Sequence, residues 1–79
     1  MARNQDDIFL NLKEAKAFAV HFKKMRIERG LTQEDLAFEA GVDRVSIARI
    51  ETAKQNFTFD MLITLAKALK VSPKELLDF

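Results

Sequence analysis

The stretch LTQEDLAFEAGVDRVSIARIE, residues 31–51, decides the fold. It holds two short helical patterns separated by a single glycine, Gly41. The first opens at Gln33, with Thr32 as its N-cap and Glu34 and Asp35 near its positive end, and reaches about Glu39. The second opens at Arg44, after Asp43 as N-cap, and reaches about Thr52. Neither is long enough to hold a helix alone, so each must bury a face. Placed 100° apart, Ile47 and Ile50 lie on one side of the second helix and point toward Leu36, Ala37 and Ala40 of the first. Arg44, Ala48, Val45 and Arg49 follow one another within about 140° of arc on the other side. A merely solvated face would alternate glutamate and lysine. This one sets two arginines around two small apolar side chains.

Outward from that pair, the same reading predicts three more helices. One runs from about Leu12 to Arg29, with Asn11 as N-cap and Glu14 completing a capping box, and stops at Gly30. After a polar loop, Ala53 to Phe57, Thr58 caps a fourth helix to about Lys70, with Leu62, Leu65, Ala66 and Leu69 at helical spacing. Ser72, Pro73 and Glu75 spell the start of a short fifth helix carrying Leu76, Leu77 and Phe79. The nearest approach to a strand is Phe57-Thr58-Phe59, and three residues make no sheet. The expected architecture is all-α: a compact five-helix domain over 12–79 with an N-terminal extension over 1–11. Met1 to Asp7 is polar and expected to fray. Ile8, Phe9, Leu10 and Leu12 are too apolar a cluster to sit in water, and are expected to fold back on the first and last helices or to join a subunit contact.

With 79 residues there is room for one modest core. Cysteine is absent, which excludes disulfides and thiolate metal sites, and His21 cannot form a metal centre by itself. It reads as a partly exposed helix histidine. No nucleophile–histidine motif, glycine-rich phosphate loop or metal spacing is present, so neither an enzyme nor a cofactor is expected. No attached effector domain is visible, so no small-molecule ligand is expected either. No run of about 20 apolar residues and no signal-peptide pattern occurs, which makes a cytoplasmic protein without a membrane partner the expectation. Thirteen basic and twelve acidic residues leave a net charge of +1. The bulk basicity of many nucleic-acid binders is missing, so a DNA-binding face must come from segregated charge.

The outer stripe of the third helix has the chemistry for a DNA major groove. Arginine forms bidentate hydrogen bonds to guanine O6 and N7, worth about 1–3 kcal/mol of discrimination. Valine and alanine can meet thymine methyl groups, and short side chains let the helix axis approach the bases.

GLTQEDLA at 30–37, the turn glycine followed by SIARIE at 46–51, and LAKALKVS at 65–72 resemble the phage repressor and Cro-type helix-turn-helix family, also called the xenobiotic-response-element family. The resemblance covers about Phe18 to Leu77. The loop KQN at 54–56 and the short chain are also similar to controller proteins of restriction–modification systems. What the resemblance implies is a repressor-like DNA-binding domain and a transcriptional regulator, with Arg44, Val45 and Arg49 on base edges, to which the spacing adds Ala48. It places Gln33, Thr52, Lys54, Gln55 and Asn56 on the DNA backbone, where Thr32, the N-cap beside Gln33, is expected as well, and it pairs Arg26 with Glu51 inside the protein. The family carries glycine where Ala53 stands here, so the exit from the third helix is expected to be less tight. Asp43 is read first as an N-cap and second as an acceptor for cytosine N4.

One recognition helix reads few base pairs, so a homodimer on an inverted-repeat operator is expected. A helix of about one and a half turns cannot bury Leu76, Leu77 and Phe79 entirely within its own subunit, which assigns these three to the dimer interface, the alternative being a monomer whose C-terminal residues fold back onto the fourth helix. The alternative is an antitoxin or protein-interaction module using the same five helices. The near-neutral charge favours that alternative, whereas the arginine-bearing third helix favours DNA.

Overall fold

The computed structural model describes residues 7–8 and 12–79. In chain order these form β1 (Asp7–Ile8), α1 (Leu12–Glu28), α2 (Gln33–Ala40), α3 (Arg44–Glu51), β2 (Phe57–Thr58), α4 (Phe59–Leu69) and α5 (Pro73–Leu76). The all-α class holds. Phe18, Phe22, Leu36, Ile47, Ile50, Leu62, Leu65 and Leu69 are fully buried, so every long helix contributes to one core. Two polar contacts tie α1 and the turn after it to the C-terminal helices. Arg29 Nε donates to the Leu69 carbonyl at 3.0 Å, and His21 Nε2 donates to the Glu75 carbonyl at 2.9 Å.

The helix starts follow short-range chemistry. Thr32, Thr58 and Ser72 each accept a backbone N–H from the residue three positions on. Asp35 and Glu75 reciprocate by accepting the N–H of Thr32 and Ser72 at 2.9 and 3.1 Å, which completes two capping boxes. The helix stops are equally uniform. After α1, α2, α3 and α4 the chain turns through a left-handed residue: Gly30, Gly41, Ala53 and Lys70 respectively. In each, the next N–H reaches back five residues: Leu31 to Arg26, Val42 to Ala37, Lys54 to Arg49 and Val71 to Ala66, at 2.8–3.2 Å. Gly30 and Gly41 adopt that conformation without strain.

Several expectations are corrected. The exit from α3 is as tight as a glycine exit, because Ala53 takes φ +57° and closes the same bonds at the cost of left-handed strain. Asp43 has the extended backbone of an N-cap, but its side chain makes no capping hydrogen bond. A sheet does form, as a two-residue antiparallel pairing of Asp7 with Thr58 and Ile8 with Phe57. Its first strand joins Asp7, the last residue of the segment expected to fray, to Ile8 of the apolar cluster, too far along the chain from Phe57 for any local pattern to announce. Leu12 is exposed, and Asn11, Phe9 and Leu10, on which a cap and the apolar cluster were read, lie outside the described residues.

The clearest correction concerns the chain end. Leu76 is 0% exposed, packed into the core of its own subunit, and so is not part of an interface. Phe79 sets its ring edge-on against Phe18 with centroids 5.7 Å apart, and remains 44% exposed. Leu77 is 41% exposed. The short helix buries more than expected because α1 and α4 form a cleft that receives Leu76, and because Phe18 offers an aromatic edge.

Candidate nucleic-acid interface

α2, Gly41 and α3 present one helix on the outside of the bend made by the other. Ile47 and Ile50 anchor α3 in the core, as the 100° spacing predicts. Arg44, Val45 and Arg49 are exposed on the opposite side, and Ala48 is half-buried between them. These four side chains therefore form a stripe that faces away from the core.

Behind that stripe lies a bonded chain of four residues. Arg26, on α1, donates Nε to Glu51 Oε2 at 2.5 Å and Nη2 to Glu51 Oε1 at 3.1 Å, with both side chains nearly excluded from solvent. Its remaining Nη1 donates to the Leu31 carbonyl at 2.6 Å, so the guanidinium also braces the turn into α2. Gln33 Nε2 donates to Glu51 Oε1 at 3.1 Å, and Arg44 Nη1 approaches Gln33 Oε1 at 3.5 Å. Thus a buried ion pair on the inner side of α3 reaches, through Gln33, to the exposed Arg44 on its outer side.

The flanks carry the groups suited to phosphate. Gln33 opens α2, where free backbone N–H groups favour anions. Beside it, the Thr32 hydroxyl accepts the Asp35 N–H at the exposed start of the helix. The Thr32 N–H holds the Asp35 carboxyl below its ordinary range, with the Thr32 side chain contributing second. The Ser72 N–H does the same for Glu75. On the far flank, Lys54, Gln55 and Asn56 are exposed in the loop after α3. Thr52 differs from the expectation. Its hydroxyl points back to the Ala48 and Arg49 carbonyls at 3.0 and 3.2 Å, so it shapes the helix end instead of donating outward.

Sequence reasoning missed the Gln33–Glu51 bond and the reciprocal Asp35 bond to Thr32. The first spans 18 positions and is visible only in three dimensions. The second had a signal, threonine three residues before a carboxylate, in a motif usually completed by glutamate or glutamine. Among the described residues, no His, Cys, Asp or Glu cluster could hold a metal ion, and no helix is long and apolar enough to cross a membrane.

This arrangement matches known proteins over most of its length. A helix-turn-helix family model covers residues 22–76. The control protein C.BamHI of Bacillus amyloliquefaciens is 38% identical over 63 residues, 78% of this chain and 78% of that protein. The control protein C.SmaI of Serratia marcescens is 38% identical over 72 residues, 91% of this chain and 83% of that protein. The crystal structure of the restriction–modification controller protein C.AhdI from Aeromonas hydrophila is similar with a TM-score of 0.79 at 33% identity, over 81% of this chain and 97% of that one.

Proposed function

The chain belongs to the helix-turn-helix family and is a DNA-binding transcriptional regulator, and from that premise we propose that it acts as a homodimeric controller reading an inverted-repeat operator. The observation that carries this reading is the outer face of α3, where Arg44, Val45 and Arg49 stand exposed around Ala48. Arg44 and Arg49 hydrogen-bond guanine edges, and Val45 and Ala48 pack on thymine methyls. Asp43, without a capping bond, is placed to accept from cytosine N4. Gln33 and Thr32 on one side, and Lys54, Gln55 and Asn56 on the other, hold phosphates and set the register.

Two copies pair through the exposed parts of Leu77 and Phe79, which places two recognition helices about 34 Å apart in successive major grooves. The likeness to control proteins of restriction–modification systems supports a gene-regulatory circuit in which protein concentration is the input. Dimerisation then makes occupancy rise steeply with protein level.

Selection of bound fragments from random duplex DNA tests the proposal. Enriched sequences should contain two half-sites related by a two-fold axis and spaced by one helical turn, and Leu77→Glu should lose them while keeping its fold. Enrichment of a lone, unrepeated half-site by a monomeric parent overturns it.

A further inference from the structure

The net charge of +1 conceals two outward faces of opposite sign. On α1, Lys23, Lys16, Ile27, Val20, Lys13 and Lys24 succeed one another within about 100° of arc, opposite the buried Phe18, Phe22 and Met25. Val20 and Ile27 are 69% and 56% exposed. They help to line a shallow groove of about 440 Å³, bounded by Lys23, Lys24, Glu28 and the backbone end of α3 at Glu51. Because the Glu51 carboxylate is turned inward onto Arg26, the rim is dominated by lysine, with Glu28 as its acid.

α2 presents the complement. Glu34, Phe38, Asp35 and Glu39 all lie on its exposed side, and the helix contains no basic residue. Phe38 is 86% exposed, more than any other large apolar side chain described. An aromatic ring left in water within a collar of carboxylates is unsuited to DNA, whose phosphates would repel the collar. It fits an apolar depression ringed by cations.

We propose that Phe38 and its acidic collar on one copy of the chain dock into the lysine-rimmed groove of α1 on another copy. The occupant follows from charge and shape together. The groove has an aliphatic floor and a basic rim, and the projecting element has an aromatic centre and an acidic rim. Every copy carries both halves at equal concentration. The contact joins two different patches, so it is distinct from a two-fold pairing of Leu77 and Phe79 and stands without it. It also leaves the outer face of α3 open. Salt weakens it, because the rim charges are solvent-exposed.

The absence of cysteine gives a direct test. Phe38→Cys and Val20→Cys chains are mixed under mild oxidation, and inter-chain disulfides are quantified. The mixed disulfide should form about tenfold faster than between Phe38→Cys and Lys67→Cys, a position on the exposed side of α4 outside both faces, because docking raises the effective concentration. Adding Lys24→Glu to the Val20→Cys chain should remove that advantage, and adding Glu39→Lys to the Phe38→Cys chain should restore it. Rates no greater than the Lys67→Cys control, or indifference to the charge reversals, overturn the proposal. A predominance of Phe38→Cys chains linked to one another overturns it as well.

Discussion

Gln33 donates its side-chain N–H to Glu51 Oε1 at 3.1 Å, across the bend between α2 and α3. An ionised carboxylate only accepts, so this bond fixes which end of the amide faces inward and leaves the oxygen facing Arg44. The orientation of a surface glutamine is therefore set by an anion that Arg26 holds in place. Removing Gln33 removes the link without stranding the ion pair, because Glu51 keeps both bonds from Arg26. Gln33→Ala should lower stability by only about 1–2 kcal/mol while weakening DNA binding roughly tenfold or more. Thermal melting and a DNA titration on the same preparation separate the two effects. A melting loss with unchanged DNA affinity would confine Gln33 to a structural role.

The Arg26–Glu51 pair itself is a different case. Truncating one partner leaves the other charge desolvated, at a cost of about 3–5 kcal/mol. A domain of this size has a total stability of about the same order. Arg26→Ala should therefore be largely unfolded at ambient temperature by circular dichroism. Arg26→Lys should not rescue it, because an ammonium cannot span both Glu51 oxygens and the Leu31 carbonyl. A lysine variant melting within a degree or two of the parent would contradict the need for the forked geometry.

Ala53 offers the opposite prospect, a gain. Its φ of +57° is left-handed, a region that disfavours any side chain with a Cβ. Ala53→Gly relieves that strain and keeps the bonds from Lys54 to Arg49 and from Ala53 to Ile50. Stability should rise by roughly 1 kcal/mol, or about 4–8 °C in melting temperature for a domain this small. Gly41→Ala, at φ +69°, should move the melt in the other direction.

The features legible in the sequence are those encoded over three to five residues. Ser72-Pro73-Lys74-Glu75 spells its own helix start, Gly30 and Gly41 mark helix stops, and the periodicity of Leu62, Leu65 and Leu69 names the inner face of α4. The outer stripe of α3 follows from the same 100° rule. What resisted reading depends on partners distant in the chain. Asp7 meets Thr58, Gln33 meets Glu51, and Leu76 finds a cleft between α1 and α4. Asp43 shows the reverse failure: the residue type favoured a cap, and the local geometry left its carboxylate outside.

Acid should weaken the fold through the two capping carboxylates. The backbone N–H groups of Thr32 and Ser72 hold Asp35 and Glu75 below their ordinary range, so the unfolded chain binds protons more readily than the folded one. The stability they add is complete above the ordinary carboxylate range and disappears as pH falls through it toward the lower folded values. Both groups are solvent-exposed, so the effect is modest. Urea midpoints measured from neutral pH down to about pH 3 should fall less steeply for Asp35→Asn with Glu75→Gln than for the parent. Parallel curves for the two proteins would mean that other groups carry the acid sensitivity.

Arg49 and Lys54 stand close in sequence but should fail differently when removed. Arg49 projects from the outer face of α3, where a guanidinium can engage a guanine edge through two bonds. Arg49→Ala should cost about 1–3 kcal/mol on the selected operator and much less on unrelated DNA, with preference relaxed at one position of each half-site. Lys54 is exposed in the loop after α3, and in the proposed complex its charge would meet phosphates that every sequence shares. Lys54→Ala should weaken operator and unrelated DNA alike, and the dependence of log affinity on log salt should flatten by about one per bound chain. Titrations of both variants at several salt concentrations, on both DNAs, decide the matter. If the two substitutions lower affinity equally on every sequence, Arg49 is one more phosphate contact, and base reading must rest on Arg44 and Val45.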